Sequence, residues 1–301
     1  MKYKKIVLSS LIILTLCSFL QDTTLDNIIE KGATLEKLSG EFQFTEGPVA
    51  DKDGNVYFTD LPNDRIMIWK TSGVLETFMQ PCGHSDGMMF DKNGNLWTCA
   101  DEKNEIWMID PDKNITKFPF KYNDKQLNGP NDLWLATNGG IYFTDPFYRR
   151  DYWEHTTMPQ EQQGVFYVKP DLKTIILVDG DLVQPNGIVG SPDGKTLYVA
   201  DIRDRKTYKY SIGNDGLLEN KTLFCEMGSD GMTLDSEGNI YLTGRGGVTI
   251  FDKNGKEIGN IPTPEGSAAN VCFGDKDLKS LYITARQSLY KIRLKVQGNR
   301  I

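Results

Sequence analysis

The chain has 301 residues, 39% of them hydrophobic, and a formal charge of −7. That is enough apolar material for a large core. The acidic balance, with no basic cluster to offset it, excludes a nucleic-acid surface.

The N-terminus reads MKYKKIVLSSLIILTLCSFLQD: a Lys-rich start, then an apolar run from Ile6 to Leu20. This is the pattern of an export signal over residues 1–20. The run is too short for a comfortable membrane span, so no stable span is expected once it is removed. The expected destination is the periplasm or the exterior. An uncleaved anchor is the rival reading, and lipid attachment at Cys17 is disfavoured by Leu16 before it. Residues 21–32 are expected to be a linker and 33–301 one domain. Four further cysteines, Cys82, Cys99, Cys225 and Cys272, show no C-x-x-C spacing, which argues against a thiol metal site. Cys99 and Cys272 lie in apolar strand runs and read as buried small hydrophobes; Cys82 could pair in an exported protein, but no partner is indicated.

One phrase then recurs six times: DGNVYFTD at Asp53, NGNLWTCAD at Asn93, NGGIYFTD at Asn138, DGKTLYVAD at Asp193, EGNIYLTG at Glu237 and DLKSLYITA at Asp277. The steps are 40, 45, 55, 44 and 40 residues. A period near this value, with short alternating strands and a Gly-rich turn, marks a β-propeller. Each unit reads as four strands, the first two joined by a tight turn such as Asp53-Gly54. The last unit lacks a fourth strand, and ATLEKLSG near the N-terminus resembles the missing one. The expected fold is therefore all-β: a six-bladed propeller closed by an N-terminal strand, which removes the open edge.

Counting eight residues back from the second turn position reaches Glu46, Asp86, Asn131, Asn186, Asp230 and Asn270. All six are carboxylates or carboxamides. Each is expected to precede the first strand of its blade, and first strands line the channel, so the six should ring one end of it. Strand-start capping is the bland alternative at any one position. Six together, all oxygen donors, suit a hard cation such as Ca2+ or another divalent ion. Zinc would call for His or Cys, and the chain has two histidines. Aspartates that close second strands, Asp60, Asp101, Asp145 and Asp201, read instead as loop caps.

The stretches FTEGPV, LNGPNDLW, GGIYFTDPFY, PNGIVGSPDGKTLYVAD, SDGMTLD and ANVCFG resemble the gluconolactonase/regucalcin (senescence marker protein) family over nearly the whole mature chain. Squid-type diisopropyl fluorophosphatase and the paraoxonases are more distantly similar. The resemblance implies a six-bladed propeller with an axial calcium that opens lactones, esters or phosphoesters. It implies that Glu46, Asn186 and Asp230 bind metal and that Asn131 contacts substrate or metal. It makes Asp230 the catalytic proton donor or acceptor. Animal regucalcin has Arg two residues before that Asn, where this chain has Gly129; the NGPND loop is similar to the bacterial gluconolactonase form.

The 55-residue step places extra chain, Phe147 to Gly164, between the second and third strands of blade three. That loop should overhang the ring with Tyr148, Arg149, Arg150, Tyr152, Trp153 and His155, and His84 reaches the same face. Arg149, Trp153, His84, Asp86 and Asn131 are the expected substrate contacts, and His84 and Asp86 are further candidates for the base. The expected partner is a small-molecule lactone; no oligomeric state is indicated. No Gly-x-Ser-x-Gly elbow is present, which argues against a serine esterase. A propeller that only binds a sugar or a partner, or a phosphoesterase on a related site, is the alternative.

Overall fold

A computed structural model describes residues 24–299. The expected export signal, residues 1–20, and Cys17 within it lie outside the described residues. Six antiparallel sheets form a ring of blades, and the innermost strand of each lines the central channel. In blade one the strands Thr45–Ala50, Val56–Asp60, Arg65–Trp69 and Leu75–Met79 pair in sequence order. Their inner members are almost wholly buried, because a blade is covered on both faces by its neighbours. Aromatic side chains cross the seams: Tyr57 of blade one meets Phe90 of blade two edge-on at 5.0 Å.

The repeated turns share one mechanism. In blade one the Asp51 carboxylate accepts hydrogen bonds from the Asp53 and Asn55 backbone N–H groups, and Gly54 takes a left-handed φ of +84°. Blade two repeats this at Asp91 and Gly94. In the copy without glycine, Leu278 adopts φ +51°, a region that apolar side chains rarely occupy.

The closure is as expected. Glu36–Ser39 adds to the outer edge of blade six by pairing with Ser288–Arg293. Within residues 21–32, expected as a linker, three apolar residues pack against the domain while the polar ones stay exposed. Leu25–Ile28 forms a short helix, Ile28 is fully buried, and Ile29 bridges to Leu294. Apolar residues at 25, 28 and 29 have a core to enter, so the segment docks. Blade five also departs from four separate strands. The run Ile240–Phe251 pairs with Met232–Leu234 through its first half and with Glu257–Ser267 through its second. It turns at Gly246 and Gly247, with φ of +90° and +125°. All four cysteines among the described residues are buried free thiols. No described helix is long and apolar enough to cross a membrane.

The extra chain of blade three joins Ile141–Asp145 to Gly164–Val168, as the spacing implied. A small hairpin, Lys121–Tyr122 with Lys125–Gln126, stands beside it. The Gln160 amide nitrogen donates toward the carbonyls of Tyr122, Lys125 and Gln126.

Candidate active site

Five of the six expected ring residues come together. Glu46 and Asp86 lie in the first strands of blades one and two, and Asn186 in that of blade four. Asn131 and Asp230 stand just before those of blades three and five. The Asn131 amide donates to the Asp86 carboxylate at 2.9 Å. The Asn186 amide donates to Asp230 at 2.8 Å and to the Tyr148 hydroxyl oxygen at 2.9 Å. Neighbouring blades hold the ring from behind, as when the Thr144 hydroxyl donates to the Asn186 carbonyl at 2.7 Å.

The sixth position differs. In blade three the Asn131 N–H donates to the Thr144 carbonyl and the Asp132 N–H to the Thr144 hydroxyl. In blade six the matching donors to Thr284 are Ala269 and Asn270. Asn270 thus corresponds to Asp132, one step further along the channel, and Ala269 takes the ring position. The inner ladder of blade six runs one rung further, from Asn270↔Thr284 to Gly274↔Ser280, so counting back from its turn stops one residue short of the ring. Asn270 and Asp132 line a cavity of about 200 Å³ beneath the ring.

Charge is crowded here. Burial pushes the Glu46 carboxyl well above its ordinary range, and Asp230 and Asp86 push it further. Asp86 is also raised by burial, against the pull of the Arg150 guanidinium. Desolvation raises Asp230 to about 6 and Asp132 to about 7. Asp230 keeps an edge toward solvent, so it is enclosed by the fold and still open at the channel mouth. Among the described residues no three His, Cys, Asp or Glu side chains form a ready-made metal cluster. The oxygen set instead combines three carboxylates, Glu46, Asp86 and Asp230, with two adjacent amides, Asn131 and Asn186. Each amide turns its NH2 group sideways onto a neighbouring carboxylate, which leaves its carbonyl oxygen as a donor atom. Carboxylates with one nearby guanidinium, plus amide oxygens, fit a hard divalent cation.

The extra loop lies over the blade two to blade four side. Tyr148 reaches Asn186, and Arg150 reaches both Asp86 (Nη2 to Oδ2, 3.5 Å) and Asp101 (Nε to Oδ2, 2.6 Å). Arg149, the expected contact, is exposed; strand-like alternation along Tyr148-Arg149-Arg150 sends the next residue inward instead. Trp153 is buried in the loop itself. Its indole N–H donates to the Asp101 carbonyl at 2.6 Å, and its ring stacks on His155 at 4.6 Å. A side-chain carbon at Gly129 would come within 2.8 Å of that indole, so the glycine is what lets Trp153 lie there. His84 stacks on Tyr152 at 3.9 Å, and its Nδ1 lies 2.9 Å from the Leu61 carbonyl oxygen. The two histidines are therefore joined through Tyr152 and Trp153. Sequence reasoning put Tyr148 and Arg150 in the loop without choosing them. The signal that could have found them is their separation by two in extended chain.

Residues 44–287 match the family model described as SMP-30/Gluconolactonase/LRE-like region. A gluconolactonase of Zymomonas mobilis is 30% identical, over 91% of this chain and 85% of that protein. A lactonase drp35 of Staphylococcus haemolyticus is 28% identical, over 76% and 72%. Among solved structures, a Xanthomonas campestris gluconolactonase superposes with a TM-score of 0.83 at 28% identity, over 90% of this chain and 92% of that one. A calcium-binding regucalcin from Agrobacterium tumefaciens superposes with a TM-score of 0.75 at 18% identity, over 89% and 96%, a likeness of fold.

Proposed function

The chain belongs to the SMP-30/gluconolactonase/LRE-like family, and on that premise we propose that it is a calcium-dependent hydrolase that opens a sugar-derived or related lactone. The observation that carries the reading is the ring: Glu46, Asn131, Asn186 and Asp230 converge under an overhanging loop, with buried negative charge that one guanidinium only partly offsets. Those four residues would hold the cation. When bound, it would polarise the lactone carbonyl and stabilise the oxyanion.

The remaining work falls to side chains. Asp230 uses one carboxylate oxygen to accept from Asn186, and the other is available to take a proton from the attacking water and return it to the leaving oxygen. The Asn186 amide fixes the orientation of that carboxylate. The Tyr148 oxygen accepts from Asn186, so its own hydrogen can be directed at a substrate oxygen; burial raises this phenol further, which keeps it a donor. His84 is a second candidate for the base, its ring oriented by Leu61 and Tyr152. The loop excludes water on one side and leaves the blade five to blade one side as the approach. We also propose that residues 1–20 direct export.

Acid release from γ- and δ-lactones, measured with and without a chelator, tests the reading. Hydrolysis that the chelator abolishes and Ca2+ restores is the expected result. Binding of a sugar without turnover of any lactone would overturn it in favour of a non-catalytic propeller.

A further inference from the structure

Four blades end their second strand in aspartate, and three of these aspartates do the same thing. Asp60 accepts from the Gln43 and Phe44 N–H groups, Asp145 from Asn128 and Gly129, and Asp201 from Val183 and Gln184. Each carboxylate caps the loop that leads into its own blade. Asp101 does not. In blade two the His84 N–H, the counterpart of Phe44, Gly129 and Gln184, is capped from blade one by Asp64 at 2.7 Å, and the same carboxylate also accepts from the Cys82 N–H at 2.9 Å. This leaves the Asp101 carboxylate for two side chains of the blade-three loop, and a third bonds its backbone. Arg150 Nε and the Tyr152 hydroxyl each donate to Oδ2 at 2.6 Å, and the Trp153 indole donates to the Asp101 carbonyl at 2.6 Å. Asp101 is almost fully buried, so these contacts are made out of water, where charge-assisted hydrogen bonds are strongest.

We propose that Asp101 is a positioning residue that latches the 146–163 loop across the ring, and that through it Arg150 sets which lactones are accepted. The Arg150 guanidinium is held between Asp101 and ring residue Asp86 and lies 5.7 Å from the Tyr148 ring. With Nε fixed on Asp101, its outer nitrogens face the substrate side. A guanidinium so placed suits lactones bearing hydroxyl or carboxylate substituents, and offers nothing to an unsubstituted ring. The inference rests on the lactonase reading for its substrates, but the latch can be tested without activity.

Two measurements on the full mature chain, loaded with Ca2+, test it together. In Asp101→Asn, hydrogen exchange of the 146–163 amides should rise on the order of tenfold, while Asp60→Asn, which removes the equivalent cap in blade one, leaves that segment unchanged. In kinetics, Asp101→Asn and Arg150→Gln should raise KM for glucono-δ-lactone about tenfold, the factor expected for losing one charge-assisted contact. They should change kcat little and leave KM for δ-valerolactone within about twofold. Arg150→Lys should recover part of the loss, and exposed Arg149→Gln should shift the ratio less than Arg150→Gln. Unchanged exchange in Asp101→Asn overturns the latch. Faster exchange with equal losses on both lactones, or a larger effect at Arg149, overturns the specificity role. Faster exchange in a protein that hydrolyses neither lactone supports the latch and sinks the lactonase reading instead.

Discussion

The two halves of the ring are built differently. On the blade two to blade four side, Asn131 and Arg150 donate to Asp86, and Asn186 donates to the Tyr148 oxygen of the loop. On the blade five to blade one side, blade six offers Ala269, and among the described residues the Glu46 carboxylate accepts from the Gly47 N–H. The repeated positions thus supply the chemistry shared around the axis. The departures from the repeat, namely the insertion, Gly129 and the redirected Asp101, cover one half and leave the other without a loop of this kind, and on the proposed function the covered half is the selective one.

The sharpest way to break this comparison is at the bare side. Glu46→Gln should lower kcat/KM at least about a hundredfold on every lactone, since it removes a charge from the shared centre, and it should weaken the Ca2+-induced rise in melting temperature. A selective loss, confined to substituted lactones, would place Glu46 with the loop residues instead. Next in size is closure. A chain starting after Gly40 loses the strand Glu36–Ser39 and buried Ile28, and should lose more than about 4 kcal/mol in denaturant unfolding. A chain starting at Asp22 should match the full-length protein.

A third prediction contrasts the two uses of the repeated aspartate. Asp145→Ala leaves the buried N–H groups of Asn128 and Gly129 without an acceptor and should cost about 2–4 kcal/mol of stability. The smallest effect concerns pH. Burial raises Asp230 to about 6 and both Asp132 and Asp145 to about 7. Their folded-state values exceed the unfolded ones, so the folded protein binds more protons between roughly pH 4 and 7 and loses stability as pH rises through that window. Chelator-stripped protein should therefore melt lower at pH 8 than at pH 5. Saturating Ca2+ should reduce the difference, because the cation favours the ionised ring. A flat profile without metal would mean that these carboxylates are better solvated than their burial implies.

Much of this was legible in the chain because a propeller is a repeat. The six turn phrases carried the blade count, and ATLEKLSG carried the closure. The aspartates at 60, 145 and 201 were legible as caps for the same reason: each meets backbone from its own repeat. The ring was legible at five positions, where residues counted from the turn keep their phase. Asn270 was misplaced because the count cannot see how many rungs the inner ladder contains. Asp101 looked like its three counterparts, because nothing local shows that Asp64 of the preceding blade has taken over its loop.

What the sequence determined by itself was whatever depends on short separations: turns, strand alternation, the period, and the oxygen-rich position at one end of each repeat. The tertiary structure alone decided which of two adjacent arginines turns inward, why position 129 is glycine, and where the Asp101 carboxylate points. Those outcomes depend on contacts between segments 24 to 64 residues apart, where packing between blades, and no local preference, selects the partner.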